Sequence, residues 1–396
     1  MRRAYKFLLR PTAKQVRALE ACLEDTRQLY NAALEERREA WRMRKASVGL
    51  YDQDAQLKEI RAADAERYGR WSFNCERAAL RRLDRAFAAF YRRVKAGESP
   101  GYPRFKGRGW WDSIEWPEGD GAKWDSVPHP TVTRVRLMGI GHVRVHQHRP
   151  VKGIIKTVTA KREGDCWYVV LSCDDVPAAL LESSGAVTGF DLGVASFLVT
   201  SDGKHVPNPR HLAAAAERLA TVQQSLARKK RGSNRRRKAV RKVAALHAKV
   251  RRTRLDHAHK TALMLVRDHD LIVHESLRIS NMTGRPKPRP SGDGSYEPNG
   301  VARKAGLNKS ILDAGWGVFL DVLRAKAESA GREVIEVDAR HTSRRCASCG
   351  YVAKGNRVSQ AGFRCLSCGY KAHADVNAAI NILRAGLALQ EVPDAA

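Results

Sequence analysis

The sequence predicts a multidomain α+β protein: a small β-barrel domain with a long helical insertion, then an α/β domain interrupted near its end by a four-cysteine ribbon. Three observations carry this prediction. Cys346-x-x-Cys349 and Cys365-x-x-Cys368 form two knuckles separated by fifteen residues. Upstream of them, apolar strands ending at Asp191 and Glu275 are separated by long helical stretches. Before these, short alternating strands flank a segment with helical periodicity. The expected boundaries are 1–11 and 121–185 for the barrel, 12–120 for the helical lobe, 186–345 and 370–396 for the α/β domain, and 346–369 for the ribbon.

Ala4 to Arg10 read as a first strand stopped by Pro11. Thr12-Ala13-Lys14-Gln15 is a capping box opening a helix whose apolar positions are Val16, Leu19, Leu23, Tyr30 and Leu34. A second helix aligns Leu80, Leu83, Phe87, Phe90 and Val94 on one stripe, with Arg81, Arg82, Arg85, Arg92 and Arg93 on its other faces. Glycine, proline and tryptophan then break the period from Ser99 to Trp124, including the pair Trp110-Trp111. Aromatics interleaved with basic residues serve equally to stack on bases or to pack a seam. Strands are expected at Val132–Leu137, His142–His146, Ile154–Lys161 and Cys166–Cys173, which with the first strand make the barrel. The next domain opens with the strand Ala186–Gly193, a second strand Ala195–Val199 and a third after Ser201-Asp202-Gly203. A basic run from Arg228 to Lys242 divides two helical stretches, and Leu271–His274 is a buried strand ending at Glu275. Asn281–Gly306 reads as a lid-like loop. Ser310 with Asp313 is expected to open a helix that Gly331 closes, before the strand Val334–Val337.

Among 396 residues, 72 Lys+Arg stand against 42 Asp+Glu, a formal charge of +30. Such an excess repels itself unless a polyanion neutralises it, and the usual polyanion is nucleic acid. No apolar run is long enough to span a bilayer and no lipid-anchor motif is present, so a membrane is not an expected partner. Nor is a small-molecule substrate. Cys22, Cys75, Cys166 and Cys173 are scattered in apolar patterns and read as buried thiols of a reducing compartment. Met1-Arg2-Arg3 precedes a strand-like segment without a signal-peptide core, so the expected location is the cytoplasm of a bacterium, with access to the nucleoid.

The cysteine spacing fits a tetrahedral Zn²⁺ held by four thiolates, a structural site because such a shell leaves no position open for water. Three hairpin-connected strands, helix, strand, helix, strand and final helix is the order of an RNase H-like α/β domain. There the first and fourth strands lie side by side, so Asp191 and Glu275 converge, and Asp375 in the first turn of the last helix supplies a third acid. Three gathered carboxylates repel one another unless cations lie between them, and hard oxygens with open water positions suit Mg²⁺ or Mn²⁺. Two such ions, roughly 4 Å apart, activate a water and stabilise the leaving oxygen of a phosphodiester. His274 and Asn377 lie beside the acids in sequence as candidates for orienting water or phosphate.

At these residues the chain resembles the TnpB family, RNA-guided nucleases of insertion sequences similar in turn to compact type V CRISPR effectors. Gly189-Phe190-Asp191-Leu192-Gly193 resembles the first RuvC motif, and His274-Glu275-Ser276-Leu277 with Asn281-Met282 the second. Cys365-Leu366-Ser367-Cys368-Gly369 running into His373-Ala374-Asp375-Val376-Asn377-Ala378-Ala379-Ile380-Asn381-Ile382 resembles the third. Asp313-Ala314-Gly315-Trp316-Gly317 and Pro103-Arg104-Phe105 are further family-like phrases. The resemblance implies a RuvC-like nuclease domain, a wedge domain made by the β segments and a recognition lobe made by the inserted helices. It implies a guide RNA, a double-stranded DNA target beside a short flanking motif, and an RNA–DNA heteroduplex. It carries over Asp191, Glu275 and Asp375 as catalytic Mg²⁺ ligands and Cys346, Cys349, Cys365 and Cys368 as Zn²⁺ ligands. The alternatives are a compact CRISPR effector with its crRNA, a non-cleaving RNA-guided binder, and a metal-dependent transposase.

Overall fold

A computed structural model describes residues 1–117, 119–127, 129, 131–292 and 295–391. Positions 293–294 of the expected lid and 392–396 of the expected α/β domain therefore lie outside the described residues, as do single positions of the helical-lobe and barrel segments. The chain divides into two compact units, Met1–Pro177 and Ala178–Ala396.

In the first unit, strand β1 (Arg3–Arg10) leads into helices α1 (Ala13–Arg44), α2 (Leu50–Ala63) and α3 (Phe73–Lys95). Strands β2 (Ser113–Pro117), β3 (Ala122–Lys123), β4 (Arg134–Leu137), β5 (Gly141–His146), β6 (Ile154–Glu163) and β7 (Cys166–Asp174) follow. They form one seven-stranded sheet in the order β2-β6-β7-β1-β5-β4-β3. Every pairing in it is antiparallel, and among the described residues β2 and β3 do not pair with each other, so the barrel stops short of closure. Alternation places Tyr5, Phe7 and Leu9 of β1 and Val169, Leu171 and Cys173 of β7 in one core with Leu19, Tyr30 and Leu34 of α1 and Leu80, Leu83 and Phe87 of α3. Each such side chain contributes about 1.5–3 kcal/mol when fully buried.

The capping box that starts α1 is present: the Thr12 hydroxyl accepts from the Gln15 amide at 3.3 Å and the Gln15 side chain accepts from the Thr12 amide at 3.0 Å. Strand β2 falls inside the stretch 12–120 expected to be helical, because Ile114 and Trp116 are buried on its inward face as it pairs with β6. Helix α2 was not visible in the apolar pattern. The tryptophan pair divides between its two readings. Trp111 is buried and donates its indole N–H to the Thr26 hydroxyl at 3.0 Å, whereas Trp110 is 83% exposed. Of the four scattered cysteines, Cys22, Cys75 and Cys173 are buried as expected and Cys166 is exposed, since it begins β7 at the turn from β6.

The second unit holds β8 (Val187–Leu192), β9 (Ser196–Thr200), β10 (His205–Pro207), α4 (His211–Ala214), α5 (Ala216–Ala227), α6 (Asn234–Asp268) and β11 (Leu271–Glu275). These are followed by α7 (Ile279–Met282), the two-stranded β12 (Arg289–Pro290) and β13 (Tyr296–Glu297), α8 (Val301–Ala314), α9 (Trp316–Ala330) and β14 (Glu333–Val337). A second small pair, β15 (Gly362–Arg364) and β16 (Lys371–His373), precedes α10 (Ala374–Glu391). The main sheet runs β10-β9-β8-β11-β14, with β11 parallel to both β8 and β14 and the other pairs antiparallel. Phe190, Ile272 and Leu198 face a core shared with α6 and α9, and Leu271, Val273 and Val337 pack with Ile382 of α10.

One expected helix start is corrected. Ser310 and Asp313 do not open a helix: Ser310 lies inside α8, its hydroxyl donating to the Gly306 carbonyl at 3.2 Å. Asp313 is buried and accepts from the amides of Leu212 and Ala213 at 2.8–3.1 Å and from Arg254 at 2.8 Å. It ties α4, α6 and α8 together. The expected closure at Gly331 is present, with φ 70°. Among the described residues no helix is long and apolar enough to cross a membrane.

Candidate active site and four-cysteine cluster

The parallel register explains how two distant acids meet. His274 of β11 lies opposite Phe190 of β8, so Asp191 and Glu275, one step further, end neighbouring strands, which in a parallel sheet run about 4.8 Å apart. Alternation turns both away from the face that buries Phe190 and Ile272. Asp375 stands in the first turn of α10, and two glycines let that helix lie against the sheet. A Cβ on Gly189 would come within 2.5 Å of the Leu383 backbone nitrogen, and one on Gly386 within 2.5 Å of the Val273 side chain. The three acids line one cavity of about 260 Å³ with Leu192, Gly193, Ala339, Thr342, Ser343, Arg357 and Gln360.

The electrostatics of this cavity follow from burial and like charge. Burial, with the charges of Glu275 and Asp375, pushes Asp191 up to about 7, opposed by the Arg357 guanidinium. Burial also raises Glu275, with the Asp338 charge adding to it and the Thr342 hydroxyl opposing it. That hydroxyl donates to Glu275 Oε1. Arg357 Nη2 lies 2.9 Å from Asp375 Oδ1, and the Asp375 amide donates to His373 Nδ1 at 3.3 Å.

His274 and Asn377, singled out beside the acids, do other work. His274 is buried on the opposite face of β11, its Nδ1 2.9 Å from the Glu275 carbonyl and its ring beside Phe190; burial lowers its basicity. Asn377 is fully buried and gripped by backbone, accepting from the Ala347 amide at 2.8 Å and donating to the Arg345 carbonyl at 2.8 Å. Thr342 and Arg357 were missed by sequence reasoning. Each lies in a loop whose approach to the acids depends on how the cysteine segment docks, and only their adjacency to the first knuckle hinted at them.

The four cysteines converge. Cys346 and Cys368 Sγ are 3.7 Å apart, Cys349 and Cys365 Sγ 3.6 Å, and all four sulfurs lie within 4.8 Å of one another. Sulfurs about 2.3 Å from a central zinc sit about 3.8 Å apart at the corners of a tetrahedron, so the thiols fit that ion. Among the described residues this is the one set of three or more His, Cys, Asp or Glu ligand atoms gathered tightly enough for a single ion. The three carboxylates do not form such a tight group, although they line one cavity.

Comparison with known proteins places this architecture. A family described as "Probable transposase" matches residues 174–285, one described as "Cas12f1-like, TNB domain" matches 316–382, and one described as "Helix-turn-helix domain" matches 1–46. The chain is 33% identical over 387 residues to "Putative RNA-guided DNA endonuclease InsQ" of Escherichia coli (strain K12), covering 98% of this chain and 92% of that one. The chain belongs to the TnpB family. A second relative, "Putative RNA-guided DNA endonuclease" of Streptomyces pristinaespiralis, is 30% identical over 397 residues, covering 100% of this chain and 92% of its own length. Among solved structures, the mini-RNA-guided endonuclease CRISPR-Cas_phi3 is 12% identical, with 98% of this chain and 92% of that chain covered at a TM-score of 0.49, a likeness that carries no further argument. In this TnpB-family chain the segment matching the helix-turn-helix description is a strand and one uninterrupted helix, β1 and α1. Asp191 and Glu275 fall in the matched segment 174–285, while Asp375 and the four cysteines fall in 316–382.

Proposed function

We propose that this chain is an RNA-guided DNA endonuclease that cuts by metal-dependent phosphodiester hydrolysis, with Asp191, Glu275 and Asp375 as its catalytic metal ligands. The observation that carries the reading is the meeting of these three acids, 184 positions apart from first to last, in one cavity beside Arg357. The relatives' names supply the guided-nuclease activity, and with it a guide RNA and a DNA target, which we take to be double-stranded. The strand order and the position of α10 support an RNase H-like, RuvC-type assignment for 186–345 and 370–396. The seven-stranded sheet supports a wedge domain, and α1 to α3 a recognition lobe.

Mg²⁺ or Mn²⁺ bound among the three acids would activate a water and stabilise the leaving oxygen of the scissile phosphate. Asp191 and Glu275 present hard oxygens from adjacent strand ends, and Asp375 closes the third side. Arg357 holds Asp375 in place and neutralises part of the cavity's negative charge, which helps a phosphate to enter. The four-thiolate ribbon is a structural Zn²⁺ site whose shell leaves no position for substrate. Base pairing to the guide supplies sequence specificity, while the protein contributes cationic surface and a short protein-read motif. The "Probable transposase" match favours an insertion-sequence setting over a CRISPR one. The intact acid set weighs against a non-cleaving binder.

The test is Asp191→Ala in the complex purified from cells that carry the native locus, with the bound RNA sequenced. Cleavage of a matching duplex in Mg²⁺ is lost and the RNA is retained. Cleavage at the wild-type rate by the variant overturns the assignment.

A further inference from the structure

The acids come from three elements, and the structure contains a clamp that ties α10 to the backbone of residues 342–345, from which Thr342 reaches Glu275 of β11. Asn377 and Asn381 stand one turn apart on α10 and are buried, at 0% and 5% exposure. Asn377 Nδ2 donates to the Arg345 carbonyl at 2.8 Å, and Asn381 Nδ2 donates to the same carbonyl at 2.7 Å and to the Thr342 carbonyl at 2.9 Å. Because both Asn381 partners are carbonyls, the orientation of its amide is set. Thr342, held from behind in this way, is itself buried and lines the acidic cavity; its hydroxyl donates to Glu275, with the Ala339 carbonyl at 3.1 Å as a second acceptor. The helix that carries Asp375 therefore holds, through Asn381, the residue that holds Glu275.

We propose that Thr342 and Asn381 are positioning residues that set Glu275 against Asp375 and so define the divalent-ion site. This rests on the reading of the acids as metal ligands. The physical reason is the desolvation of Glu275: a half-buried carboxylate on a strand end has rotamer freedom, and a fixed hydroxyl donor selects one orientation at the time the ion binds. A direct anchor from α10 makes that orientation follow the helix rather than the loop. Arg357 contacts Asp375 and Thr342 contacts Glu275, so the two acids are held by different residues.

The variant Thr342→Val keeps volume and removes the hydroxyl, and Thr342→Ser restores it. Three properties are read on the purified RNA complex: Mn²⁺ affinity by titration, the Mg²⁺ concentration for half-maximal cleavage, and zinc content with melting temperature. Thr342→Val weakens Mn²⁺ binding and raises the half-saturating Mg²⁺ by about tenfold or more, the scale of lost outer contacts to metal ligands. Zinc content and bound RNA stay at wild-type levels, and Thr342→Ser recovers most of the ion affinity. Asn381→Asp, which keeps shape but loses the donors, gives the same rise in half-saturating Mg²⁺. Wild-type Mn²⁺ affinity in Thr342→Val overturns the proposal, as does an equal deficit in Thr342→Ser. Asp191→Ala run alongside separates the two levels: if it still cleaves, the metal-ligand reading has failed, and if it is dead while Thr342→Val is normal, only the positioning role has.

Discussion

The elevated pKa of Asp191 makes a quantitative prediction about protons. With a value of about 7 in the ion-free chain, Asp191 carries about 0.9 proton at pH 6 and about 0.1 at pH 8. Under the proposed function a divalent ion would bind the carboxylate and displace that proton. Saturating Mn²⁺ added at pH 6 therefore releases close to one proton from this residue, with a further share from Glu275, whose pKa is also raised, and the release falls as pH rises to 8. Isothermal titration in buffers of different ionisation enthalpy measures it directly, with Asp191→Asn as the control that removes the Asp191 share. The same shift has a stability sign. The folded chain keeps a proton that the unfolded chain loses near pH 4, so this group's contribution to stability falls as pH rises from about 4 to about 7. The full shift, from 3.8 to about 7, corresponds to about 4 kcal/mol. Release near zero at pH 6, or release undiminished in Asp191→Asn, refutes the crowded-acid account of the site.

Other expectations follow from the same geometry. Gly189→Ala forces α10 off the sheet against the Leu383 backbone, costing about 1–3 kcal/mol in unfolding experiments and depressing cleavage more than RNA binding. Arg357→Ala removes the cation beside Asp375; Asp191 titrates higher still by NMR, and cleavage falls at least tenfold. Cys365→Ser lowers bound zinc measured by elemental analysis and exposes the segment from Cys346 to Cys368 to protease. Asp313→Ala leaves Arg254 and two helix-end amides without their acceptor and lowers stability by about 2–4 kcal/mol, with metal affinity unchanged.

What was legible in the sequence was whatever local pattern or parallel-strand order determines. Strand ends announced Asp191 and Glu275, the first turn of an apolar helix announced Asp375, and knuckle spacing announced the four thiols. Five strands of the first unit, β1 and β4 to β7, followed their alternation to within a residue or two, whereas β2 and β3 were not foreseen. Illegible features depended on tertiary docking. Asp313 resembled a helix cap because of its spacing from Ser310, yet its carboxylate satisfies the amides of a helix about a hundred positions earlier. Asn377 resembled a site residue because of its neighbours, yet one face of α10 aims it at the knuckle backbone. Thr342 and Arg357 sit in irregular segments, where no periodicity reports direction. Trp110 and Trp111, adjacent and alike in sequence, went to opposite environments because a 3-10 turn, Arg108–Trp110, ends between them.

The close seat of α10, allowed by Gly189 and Gly386, also has a consequence in time. The acids emerge from the ribosome in the order 191, 275, 375, and the helix bearing the third must settle into a groove made by strands synthesised long before. A nascent chain that has exposed both strands but not this helix has not yet gathered the three acids, so under the proposed function the capacity to cut waits on the seating of α10.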